Sequence, residues 1–101
     1  MSASWAYLYL HPETDPDTDR TVLDRGGIRT TLVAVPSPDR APEVAAALAS
    51  EGATLIELCG GFSLEAAAAV RSALPSKVAV GHVTVSVDSV HAAAAFGDSV
   101  S

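Results

Sequence analysis

The sequence predicts an α/β fold: a single small domain, residues 1–101, in which four mostly parallel strands alternate with helices. Three observations predict it. β-Branched and aliphatic runs of strand length alternate with alanine-rich segments of helix length. The apolar runs stop at turn signals, namely His11-Pro12, Val35-Pro36 and Cys59-Gly60-Gly61. A chain of 101 residues has room for one domain with one modest core.

The elements follow in order. Trp5 to Leu10 is aromatic and aliphatic and ends where proline cannot continue a central ladder, so it reads as a first strand. His11 to Asp17 carries two prolines and three acids and reads as a loop. Asp19 to Arg25 is expected to form a short helix closed by Gly26-Gly27. Ile28 to Val35 is the second strand. Pro42 suits a first helical turn, and the helix runs through Ser50 to Glu51-Gly52. Ala53 to Leu58 is the third strand. Ser63 is placed to cap a helix that runs to Leu74 and stops at Pro75. Val78 to Val85 is the fourth strand, and Asp88 is placed to cap a last helix with Gly97 past its end.

Such alternation implies parallel strands joined by right-handed crossovers. A flavodoxin-like strand order is the first expectation, and a half-barrel that pairs with a second subunit is the other. The apolar runs are continuous, which fits strands covered on both faces.

Composition narrows the partners. The formal net charge is −6, and Lys77 is the single lysine, so neither nucleic acid nor an anionic membrane surface is an expected partner. No apolar stretch approaches the ~20 residues needed to span a bilayer. One cysteine, Cys59, permits no internal disulfide, and with no basic signal sequence at the start a cytoplasmic location is expected. Much of the apolar content is alanine, which buries little area per residue, so a homo-oligomer is expected.

In parallel sheets ligands bind beyond the carboxyl ends of the strands. Glu57 is an acid inside an apolar strand, on one face with Leu55 and Cys59. Such a carboxylate suits a general acid or base, or alternatively forms a structural pair with an arginine. Cys59 precedes a helix, where a thiol can be activated, although most free cysteines are small buried filler. Gly60 and Gly61, ahead of Ser63, can offer backbone N–H groups to an anion, or can be a turn that needs positive φ. They form neither a dinucleotide fingerprint nor a phosphate loop.

His11 and His82 can shuttle protons near neutral pH, or can be a turn residue and a hydrogen-bonded strand residue. Their spacing supports no metal site, and no cofactor is expected. Arg20 and Glu13 belong to the acidic loop, where Arg20 can clamp an anionic ligand or pair with Asp17 or Asp24.

The motifs His11-Pro12, Asp15-Pro16, Arg20-Thr21-Val22, Glu57-Leu-Cys-Gly-Gly-Phe62 and Val78-Ala-Val-Gly81 resemble a family of bacterial proteins of about this length, known as a domain of unknown function. The resemblance covers nearly the whole chain and implies that the first and the Glu57–Phe62 blocks belong together. It implies no activity. Two functions are compatible with the residues. One is an acid–base enzyme of isomerase, lyase or cyclase type, acting on a small and possibly anionic organic molecule. The other is a non-catalytic module for ligand binding or oligomeric assembly.

Overall fold

The computed structural model describes residues 3–100. Its elements are β1 (Ala3–Leu10), β2 (Arg20–Arg25), β3 (Ile28–Val35), α1 (Ala41–Ser50), β4 (Leu55–Leu58), α2 (Leu64–Ser72), β5 (Ala79–His82) and α3 (Val90–Val100). Short 3₁₀ turns at Pro38–Arg40 and Val87–Ser89 lead into α1 and α3. The fold is α/β, with one five-stranded mixed sheet in the order β2-β3-β1-β4-β5.

The segment expected to be a helix, Asp19 to Arg25, is instead the edge strand β2, antiparallel to β3. Gly26 and Gly27 are a two-residue hairpin loop with φ of 65° and 80°, rather than a helix cap. Two successive left-handed residues match the twist of paired strands, and glycine reaches them without a Cβ clash. The sheet is therefore five-stranded and mixed, where four mostly parallel strands were expected.

The four parallel strands β1, β3, β4 and β5 occupy the order second, first, third, fourth, as in the first part of a flavodoxin-like sheet. The connections β3→β4 and β4→β5 run in the same direction across the sheet. Right-handed crossovers then put α1 and α2 on the same face, where they pack on one another. That face is the core. Ala6 and Leu8 of β1, Val33 and Val35 of β3, and Ile56 and Leu58 of β4 are fully buried there. They meet Val44, Ala45 and Leu48 of α1 and Val70 of α2. Each large aliphatic side chain buried this way contributes about 1.5–3 kcal/mol.

The second face is bare, contrary to the expectation of strands covered on both sides. No helix intervenes between β1 and β3, because the hairpin strand β2 occupies that place in the chain. Trp5, Tyr7, Tyr9, Leu55 and Glu57 are only half-buried on this side, and Leu23, Ile28 and Leu32 are exposed.

Other expectations change as well. The fourth strand ends at His82 and not at Val85. Gly97 lies inside α3 and not beyond it, while Asp88 sits in the preceding 3₁₀ turn, its carboxylate accepting from the Ser86 hydroxyl at 2.6 Å. Helix α3 buries no side chain, and Phe96 is 69% exposed. Among the described residues no helix is long and apolar enough to cross a membrane.

Candidate functional site

The carboxyl ends of the parallel strands are joined by main-chain bonds that gather the loops at one end of the sheet. His11 N–H donates to Val35 O at 2.9 Å, Cys59 N–H to Leu8 O at 3.0 Å and Val83 N–H to Leu58 O at 3.0 Å. The loop 11–19 crosses above β3, and Ala34 N–H donates to Asp19 O at 3.0 Å.

The cluster forms on the bare face at this end. Tyr7 and Glu57 are register partners on the adjacent strands β1 and β4, and Cys59 is two residues further along that face. Burial raises the Tyr7 phenol above its ordinary value of 10, and the nearby Cys59 and Glu57 push it in the same direction. Like any tyrosine, it is a neutral hydrogen-bond donor at neutral pH. Among the described residues Glu57 makes no hydrogen bond or ion pair, so the structural arginine pair is absent within the chain. Gly81 of β5 makes room for it. A Cβ at that position would stand 3.3 Å from Glu57 Cγ and 3.6 Å from Oε2.

Beside the cluster lies a cleft of about 660 Å³ under α3, walled by Leu10, Val85, Ala93 and Phe96 and floored by Cys59, Gly60 and Gly61. Cys59 joins the two regions. It is half-buried, neither sealed filler nor fully exposed. Gly60 and Gly61 do not have positive φ. Their small size serves packing, since a Cβ on Gly61 would come within 3.1 Å of Leu10 Cδ1. Neither N–H enters a main-chain hydrogen bond among the described residues.

The remaining candidates are placed elsewhere. His82 is half-buried on the opposite, core-facing side of β5, its Nε2 at 2.9 Å from Phe62 O, where it ties the strand end to the turn before α2. His11 is exposed, its Nδ1 3.0 Å from Pro12 O, and it borders a second cleft with Pro36, Pro38 and Phe96. Ser63 is occupied as the α2 cap, accepting from Ala66 N–H at 3.1 Å. Arg20 donates through Nε to Pro16 O at 2.8 Å and so braces its own loop. Glu13 is exposed in that loop with φ of 61°. Among the described residues no three His, Cys, Asp or Glu side chains converge as a metal site would require.

Tyr7 is the residue that sequence reasoning passed over. Its signal was present: it shares the strand parity of Trp5 and Tyr9, opposite to that of the buried Ala6 and Leu8. Only the register placed it next to Glu57.

The model of a family of unknown function, DUF6506, matches residues 3–98, and the chain belongs to that family. No curated protein and no solved structure matches the chain.

Proposed function

We propose that this member of DUF6506 is a small-molecule acid–base enzyme of isomerase, lyase or cyclase type, working at the Tyr7–Glu57–Cys59 cluster and its adjoining cleft. The observation that carries it is a half-buried carboxylate with no ion pair within its own chain among the described residues, next to a phenol on the adjacent strand. Glu57 takes a proton from an activated C–H bond. Tyr7 donates a hydrogen bond to the oxygen where negative charge develops, and the free N–H groups of Gly60 and Gly61 assist. Cys59 borders the reacting centre, and a reducing cytoplasmic setting suits its free thiol. The apolar cleft walls favour an organic substrate.

Incubation in D₂O with a panel of 2-oxo and hydroxy acids tests this, with ¹H NMR reading exchange of substrate C–H for deuterium. Exchange above the buffer rate that disappears in Glu57→Gln supports the enzyme. A panel that shows binding without exchange favours the ligand-binding module instead.

A further inference from the structure

We propose that the bare face of the sheet is a homodimer interface, packed on the same face of a second copy with the strands crossing near a right angle, so that Arg25 of each chain reaches Glu57 of the other. The proposal goes beyond the enzymatic reading and does not depend on turnover.

The register lays this face out in rows. Leu23, Thr30, Trp5, Leu55 and Ala79 align across the sheet, and Thr21, Leu32, Tyr7, Glu57 and Gly81 align two residues above them. Arg25 and Ile28 pair two residues below, and Tyr9 and Ala34 two above. Five strands and this span of rows outline about 24 Å by about 20 Å, roughly 480 Å² per chain. With complete overlap two such faces give roughly 960 Å² in outline, close to the ~1,000 Å² a specific interface needs.

Several features choose a second copy as the occupant. The strands are apolar on both parities, yet α1 and α2 pack on one side, and among the described residues no helix buries the other. The donor that an indole would otherwise need to satisfy is already used, since Trp5 Nε1 donates to Thr30 Oγ1 at 2.8 Å. The chain holds 6 Lys and Arg against 12 Asp and Glu, but within the strands this face carries only Arg25 and Glu57, one of each sign. Two copies therefore meet there without net repulsion, despite the charge of −6 on each.

The two charges also fix the crossing angle. Arg25 and Glu57 are separated by three strand spacings, about 14 Å, and four residue steps, about 13 Å, which is close to a diagonal. A two-fold axis that exchanges them is perpendicular to that diagonal. It turns the strands by about 90°, the orthogonal class of sheet packing. Arg25 has no ion pair within its own chain among the described residues. In the dimer the partner's Arg25 completes the Glu57 site from above, where it can hold the anionic group of a bound acid.

Light scattering on the full chain at micromolar concentration should give twice 10.3 kDa. Trp5, the one tryptophan, lies in the face, so its emission should shift to the red on dilution as the mass halves. Leu32→Lys puts an unpaired ammonium in the interface twice per dimer and should weaken association roughly 100-fold or more. Leu64→Lys, at a 77% exposed position on α2, should leave the dimer intact. Arg25→Glu should also weaken it, and Arg25→Glu with Glu57→Arg should restore it. A single-chain mass at every concentration overturns the proposal. So does a dimer indifferent to Leu32→Lys, or one whose dissociation leaves Trp5 emission unchanged. Dimers broken by Leu32→Lys but indifferent to Arg25→Glu overturn the crossing arrangement. The dilution experiment on the unmodified chain stands even where a variant fails to fold.

Discussion

Glu57 is the residue on which two physical roles separate cleanly. A carboxylate buried in an ion pair costs about 3–5 kcal/mol when its partner is removed. Among the described residues Glu57 has no such partner within its own chain, and it is only half-buried. Measured at dilutions where the chain is dissociated, Glu57→Gln should therefore leave the melting temperature nearly unchanged, and it should lower turnover on the order of 10²-fold or more. Melting and activity measured on one preparation check this. Gly81→Ala tests position and not charge. Its methyl would press on Glu57 Cγ at 3.3 Å, so the carboxylate must shift by a few tenths of an ångström. Activity should fall while stability holds, as read by the same pair of measurements.

Tyr7 supplies the pH dependence. Its folded pKa is raised above 10, chiefly by burial. The neutral phenol is favoured in the folded chain, so this contribution to stability is fully present below pH 10. It is lost as the pH rises through the folded value. Spectrophotometric titration should show a late-ionising phenol that Tyr7→Phe removes, and that variant should lose less stability on going above pH 10 than the parent.

At the scale of elements, the hairpin and the helix ends show why identical substitutions differ. Gly26→Ala or Gly27→Ala puts a Cβ into left-handed backbone and should cost about 1–2 kcal/mol each. Gly97→Ala lies in helical backbone with no atom within 4 Å and should strengthen α3 by about 0.5–1 kcal/mol. Because α3 buries no side chain, the gain should appear as slower amide exchange within α3 and hardly in the global melt. The end of α2 is held differently. Arg71 donates through Nη2 to Pro75 O at 2.6 Å and through Nη1 to Val78 O at 2.5 Å, fastening the α2–β5 turn. Arg71→Ala should cost about 1.5–3 kcal/mol, measurable by denaturant titration.

For the molecule as a whole, the sheet is a one-sided sandwich. The face under α1 and α2 contains the fully buried residues, and β1 lies at its centre between β3 and β4. Amide exchange should accordingly be slowest in β1, which is hydrogen-bonded on both edges, and fastest in α3. The long axis of 43 Å against 27 Å in the other directions describes an elongated body. The cleft between α3 and the strand ends, the Tyr7–Glu57–Cys59 cluster and the bare face are contiguous. Substrate access and association of copies would thus meet in one region.

Local chemistry alone determined much of this. Pro12 and Pro36 lack the N–H that would continue a ladder, Ser63 caps α2 through its own hydroxyl, and alanine runs form helices. For these reasons the parallel strands, the two core helices and the place of Glu57 inside an apolar strand were legible in the residues. The 3-residue reach of a cap or the period of a strand needs no distant partner. What only the tertiary structure decided is what depends on pairing. Arg20–Arg25 is compatible with a helical turn or a strand, and β3 beside it chose the strand. Tyr7 meets Glu57 through a register across fifty residues of chain, which no local pattern encodes. His82 was directed to the core side by the pleat, and away from the cluster. The apolar parity of Trp5, Tyr7 and Tyr9 announced a second covered face. The sheet order, with a hairpin where a helix would have returned, left that face bare because no segment of the described chain packs across it.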